Sequence, residues 1–179
     1  TGIRIDYASE SGFVAKLALM NPTDFVEFNP VNTYTLGGQI GYVNDKGGVW
    51  FNVLYGDQDG KLKSGVDTVG SISPQGNKLQ VDLTTGWTLS ESFYLGFNAS
   101  YRTINPGETL GASGITDLTG DAGTFLGAAI YPKVILSDVF SVGLRSEYFA
   151  VTNSLIAPFG LDANGDGSVI ANTLSANYK

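Results

Sequence analysis

At 179 residues the chain is long enough for one domain of ordinary size; charged residues make up only 15% of it, short of what a water-facing surface carries, while hydrophobic residues reach 42%. The absence of Cys excludes a disulfide framework and thiolate metal sites, and the absence of His removes the commonest general base, the usual Ser-His and Asp-His arrangements and the imidazole zinc sites. A formal net charge of -7 argues against a nucleic-acid partner, and 24 glycines with 12% aromatics point to many short strands joined by turns, an all-β fold.

No apolar run approaches the ~20 residues of a spanning helix. In chain order, nine alternating segments are expected, at 2–8, 12–20, 32–43, 48–56, 77–89, 93–102, 124–136, 139–150 and 168–179. The first, third, fifth and seventh connections are tight: "SES" after Ala8, "NDKG" after Val43, "SES" after Leu89 and "SD" after Leu136. The others are long, such as "DQDGKLKSGVDTVGSISPQG" and "TINPGETLGASGITDLTGDAG". Consecutive antiparallel strands put successive connections at opposite ends, so all tight turns fall at one end and all long loops at the other. An up-and-down transmembrane β-barrel has this polarity.

The two parities of each segment differ in chemistry. The apolar side is Ile3, Ile5 and Tyr7 in the first segment, Phe13 to Leu19 in the second and Tyr34 to Tyr42 in the third, and continues through Phe51, Leu83, Phe97, Ile130 and Leu144. The other side takes every charge in the segments, namely Arg4, Asp6, Lys16, Lys78, Asp82, Arg102, Lys133, Arg145, Glu147 and Lys179, together with Gln39 and Asn98. These are the candidate lumen-facing residues, because a charge facing lipid costs about 2–4 kcal/mol at the midplane. On the apolar side Tyr34 and Tyr42, Phe93 and Tyr101, and Phe140 and Tyr148 stand eight residues apart, the spacing of two interfacial aromatic belts. Trp50, Tyr94, Phe125, Tyr131 and Phe149 depart from the pattern by falling on the polar parity, and Pro132 implies a bulge or register change inside the seventh segment.

The stretches "NTYTLGGQIGYVNDKGGVWFNVLYGDQDGKL", "QVDLTTGWTLSESFYLGFNASYRTINPGE" and "YPKVILSDVFSVGLRSEYFAVTN" resemble the OmpL-like β-barrel porins of bacterial outer membranes. The resemblance runs along most of the chain and carries no catalytic signature. It implies a secreted barrel in the bacterial outer membrane that conducts small solutes. Nine strands is an odd number where single-chain bacterial barrels have even ones, so residues 1–179 are expected to form a single, partial barrel domain.

Under that expectation the inner wall holds seven basic residues against three acidic ones, and the other fourteen acids lie in the connections. Such a wall favours anions modestly. Arg4 with Asp6, and Arg145 with Glu147, can equally pair with one another on the same face. "DANGDGSVI" opens like a calcium loop, with Asp162, Asn164 and Asp166 as oxygen ligands. Thr173 stands where the bidentate Glu belongs, so at most weakly bound calcium is expected at 162–167, and a plain solvated turn accounts for the same residues. No cofactor is required and no spacing singles out a catalytic group, so an enzyme is not expected. The expected partners are outer-membrane lipid, with a homo-oligomer or other outer-membrane proteins as further candidates. The leading expectation is a porin for small hydrophilic solutes. The alternatives are a docking barrel with no open pore, and a soluble β-barrel that holds an apolar ligand.

Overall fold

The computed structural model describes residues 2–22, 29, 33–58, 72–111, 114–117, 120–153 and 162–179. Ten strands form one antiparallel sheet: β1 (Gly2–Ala8), β2 (Phe13–Met20), β3 (Thr35–Asn44), β4 (Gly47–Asp57), β5 (Ile72–Ser90), β6 (Phe93–Gly111), β7 (Gly114–Asp117), β8 (Gly123–Ser137), β9 (Phe140–Thr152) and β10 (Gly167–Tyr178). Nine follow one another across the sheet in chain order, and the four-residue β7 pairs only with the far end of β6. There is no helix among the described residues. β1 and β10 are the two edges of an open sheet.

All nine segments read from alternation are strands, and the main difference lies in β5 and β6. Each has 19 residues, and β6 runs nine past the expected end at Arg102. Beyond an irregularity between Gln75 and Lys78 the two continue as a ribbon, with Gln75 opposite Pro106 and Ser73 opposite Glu108. Apolar alternation stops there while pairing does not. These extensions also draw Asp57, Glu108 and Asp117 out of the connections and into strands.

Pro132 does not shift the register. Toward β6 it pairs with Leu95 in an unbroken ladder, and toward β9 the pairs Ile130–Ser146 and Lys133–Gly143 lie in the same register on either side of it. The strand absorbs one missing donor locally. The irregularity in β8 comes later, between Ile135 and Ser137, beside the turn.

One device closes all four tight turns. Oγ of Ser9 accepts the amide of Phe13 at 3.0 Å, Oδ1 of Asn44 that of Lys46 at 2.9 Å, Oγ of Ser90 that of Ser92 at 3.3 Å, and Oγ of Ser137 that of Phe140 at 3.1 Å. Short side-chain oxygens here satisfy backbone donors that the ladder cannot reach. Each turn is also tied to the strand beyond its own hairpin: the carbonyls of Gly12, Lys46, Ser92 and Val139 accept the amides of Val43, Thr88, Ile135 and Lys179 at 2.7–2.9 Å.

Register joins the apolar parities into one surface. A single row of directly opposed residues runs Tyr7, Ala15, Ile40, Phe51, Leu83, Ala99, Ala128, Tyr148, Ile170 from β1 to β10. No second layer of described residues covers it. Ile5 is 70% exposed, Leu17 66%, Ile40 55% and Leu174 75%, and the only buried hydrophobic side chains among the described residues are Ala129 and Val151. The opposite face carries the row Asp6, Lys16, Gln39, Asn52, Asp82, Ser100, Gly127, Phe149, Val169.

The paired aromatics drift together across the apolar face. The row through Tyr42 reaches Phe97 on β6 and Ser146 on β9, so Phe93 and Phe140 stand four and six residues beyond it toward the tight turns. Tyr101 and Tyr148 are displaced from Tyr34 by the same four and six residues. Six residues at ~3.3 Å against five strand spacings of ~4.8 Å put a line through either set about 40° from the perpendicular to the strands.

Candidate functional site

The polar face divides into zones. Its centre, on β3 to β6, is a network around Asp82. Asn52 donates to Oδ1 of Asp82 at 2.9 Å and itself accepts from Gln39 at 2.6 Å; Thr84 donates to the same oxygen at 3.1 Å. Asn98 at 2.9 Å and Ser100 at 2.5 Å donate to Oδ2. Four residues on three neighbouring strands thus hold one carboxylate, with Gln39 on a fourth strand behind Asn52. Four direct donors spread its charge and fix its rotamer, making this stretch a rigid polar wall.

The β6 to β9 side is aromatic and basic. The guanidinium of Arg102 lies 4.1 Å from the centroid of Phe125, whose ring is 6.1 Å from that of Phe149; Arg145 stands 5.7 Å from the centre of Tyr131 and its Nε is 2.5 Å from Glu147. These side chains surround a groove of about 520 Å³ over Gly127 and Ala129. At the other edge Arg4 bonds Asp6 at 2.9 Å, both exposed, and Lys16 lies directly between Asp6 and Gln39 in register. Lys133 stands opposite Tyr94 and Gly143. Lys78, though on the polar parity, is only 4% exposed and lies at the long-loop end with buried Thr35, Gln58 and Glu108.

Glycines explain the aromatics that break the alternation. A Cβ on Gly41 or Gly48 would come within 2.6 Å of the Trp50 indole, one on Gly86 would strike the Tyr94 hydroxyl, and one on Gly96 would be 3.3 Å from Tyr131. Rings on this face therefore lie along the wall, each filling space that a neighbouring strand leaves empty. Asn52, Thr84 and Ser100 were not singled out from the sequence. Their parity was available, but their convergence on Asp82 exists only once three strands are in register.

The "DANGDG" turn closes on itself. Oδ1 of Asp162 accepts the amides of Asn164 and Asp166 at 2.8 and 2.9 Å, and Oδ1 of Asp166 accepts that of Asn153 at 2.8 Å. Those backbone donors hold the Asp162 carboxyl below its ordinary value. No group of three or more Asp or Glu side chains suited to a metal gathers among the described residues.

One uncovered apolar face, one polar face, and tight turns gathered at one end define this sheet as the wall of an antiparallel up-and-down β-barrel. The family model described as "Putative beta-barrel porin-2, OmpL-like" matches residues 1–179, and the chain belongs to that family. No curated protein and no solved structure matches it.

Proposed function

We propose that the protein is a porin of the bacterial outer membrane, giving passive passage to small hydrophilic solutes along a polar, mildly basic lumen. The observation that carries this is the register-continuous apolar face, on which none of the described residues packs. In water such a surface is an aggregation site; in a bilayer it is solvated by acyl chains. Outer-membrane lipid is accordingly the partner of this face. The drift of the aromatics agrees. If the two sets mark the membrane interfaces, the strands tilt by about 40°, within the usual range of outer-membrane barrels, and the sets stand about 20 Å apart along the normal.

β1 and β10 run in the same direction, so a wholly antiparallel closure needs an odd number of strands between them. On the polar face Arg4 and Arg145 are neutralised by neighbouring acids and Asp82 is held by neutral donors, so that Lys16 and Lys133 leave a basic surplus among the described residues. That surplus favours anions.

Purified protein reconstituted into planar bilayers tests the reading. Stepwise ohmic conductance is expected, with a reversal potential in a KCl gradient displaced toward chloride. Intact insertion without conductance refutes the open pore, and displacement toward potassium refutes the basic lumen.

A further inference from the structure

We propose that the polar face binds neutral saccharides in a recess at its tight-turn end, which would make them a substrate class of the pore; the proposal rests on the porin reading above. Register aligns Gly48, Gly86 and Gly96 on β4, β5 and β6 in one directly opposed row. Aromatic rings lie over this bare backbone: the Trp50 indole reaches the space above Gly48, and the Tyr94 ring that above Gly86 and Gly96. Because Gly48 and Gly86 stand on neighbouring strands, the two rings approach each other along the wall and make one aromatic strip. With Asn44, Thr84 and Thr88 they line a recess of about 430 Å³, within the range of small-molecule sites.

Two kinds of surface meet in this recess. Tyr94 is exposed and Trp50 half-buried, and neither stacks on another ring among the described residues, so both have aromatic surface to offer a ligand. Around them, none of the described residues bonds the indole N–H of Trp50 or the hydroxyls of Tyr94 and Thr88. Thr84, directly opposite Trp50, is already fixed on Asp82 at 3.1 Å, so this part of the rim loses little freedom when a ligand binds. A pyranose has the matching division, with C–H groups on its faces and hydroxyls around its edge. The C–H groups settle on the negative face of an aromatic ring, while the hydroxyls meet the donors and acceptors of the rim. A plain arene would leave the rim unpaired, and an open-chain polyol would leave the rings uncovered. A cation drawn to the rings would meet Lys133, directly opposite Tyr94, and Asp45 is offset by Lys46 in the same turn.

Cellobiose is the probe, because its equatorial hydroxyls leave the faces of both sugar rings to C–H groups. Glycerol, benzyl alcohol and tetramethylammonium are the controls. In single-channel records cellobiose is expected to produce concentration-dependent brief blocks and the controls none. Trp50→Leu keeps an apolar side chain but removes the ring, and should raise the half-blocking concentration about two- to tenfold, the scale of one aromatic contact. Tyr94→Leu should act in the same direction, and it serves if the Trp50 variant does not insert. The chain has two tryptophans, and Trp87 lies on the apolar parity with its indole bonded to Thr85. In the Trp87→Phe protein in micelles, the emission of Trp50 should therefore shift to shorter wavelength as cellobiose displaces water, a readout independent of conduction. Absence of both block and emission shift overturns the site, as does an equal response to any control or an unchanged block in both variants. An emission shift that Tyr94→Leu weakens, in a protein that inserts without conducting, supports the site and overturns only the porin reading.

Discussion

The hydroxyl of Tyr94 on β6 occupies the space above Gly86 on β5 where a side chain would stand, and the next phenol atom, Cζ, is 3.0 Å from that point. Gly86 itself faces Gly96 across the ladder, so two bare backbones lie side by side under the ring. Adding a methyl at Gly86 forces the ring off its rotamer. Gly86→Ala is expected to destabilise the protein by about 1–3 kcal/mol in urea unfolding from micelles, the ordinary cost of overpacking. In a Tyr94→Ala background the same change should be nearly silent. Equal costs in both backgrounds would mean that the glycine serves the backbone and not the ring.

Gly12 closes the β1–β2 turn with a φ of 89°, and a Cβ there would collide with the carbonyl of Val43. The collision follows from the tie between hairpins, because the Gly12 carbonyl accepts the Val43 amide at 2.9 Å. Gly12→Ala combines a left-handed backbone, about 1–2 kcal/mol for a residue with a side chain, with a backbone clash. A loss of more than about 2 kcal/mol is expected, with hydrogen-exchange protection of Val43 lost first.

Asp82 is the acceptor on which Asn52, Thr84, Asn98 and Ser100 converge. Asp82→Asn keeps the shape but replaces one acceptor oxygen by a donor facing other donors. It should cost about 1–3 kcal/mol in the same unfolding assay. Removing a negative charge from the basic wall should also move the reversal potential further toward chloride. A stability loss with no movement would show that this carboxylate is screened from passing ions.

The strands, their order of short and long connections, and the two faces were legible because alternation is written locally: Phe93, Leu95 and Phe97 declare a face without reference to any other strand. The Asp82 network was not legible, since Asn52 lies 30 residues before Asp82 and Ser100 18 after it. The inward rings were visible as exceptions, yet their reason, bare glycines on the same or neighbouring strands, needed the register. The common drift of the aromatics was hidden for the same reason: three aromatic pairs of equal spacing do not reveal that they are offset by four and six residues. The ribbon of β5 and β6 past Lys78 and Arg102 left no trace because its residues, such as Gln75, Asn77, Asn105 and Glu108, do not alternate in polarity.

The turn at Asp162 should respond to acid. The amides of Asp166 and Asn164 stabilise its ionised carboxylate and lower its pKa from the ordinary 3.8. A depressed folded pKa contributes stability that is present above the unfolded value and disappears as pH falls through the folded one. The amide of Asn164 is therefore expected to stay protected at pH 5 and to lose protection below pH 3.8, read by exchange-sensitive NMR. Asp162→Asn should remove that pH dependence while retaining part of the turn. Protection unchanged into the acid range would assign the turn to the Asp162 carbonyl bond with Gly165 instead.

Two lysines on β10 separate a bilayer from water as the solvent of the apolar face. Leu174, 75% exposed and opposite Leu144, is on that face, whereas Ala171 is on the polar face directly opposite Glu147. Carried across to β10, the aromatic drift places Leu174 near the middle of the apolar band. In water Leu174→Lys would be harmless or favourable, because it removes exposed apolar surface. In lipid it should cost about 2–4 kcal/mol, while Ala171→Lys should cost little and gain a cross-strand partner. Reversible unfolding in phospholipid vesicles reads the difference, and detergent-free solubility of the parent chain gives the complementary measurement. If both lysines are tolerated equally in vesicles, the face that joins Tyr7 to Ile170 does not meet acyl chains at β10, and the barrel wall must turn that strand toward protein or water.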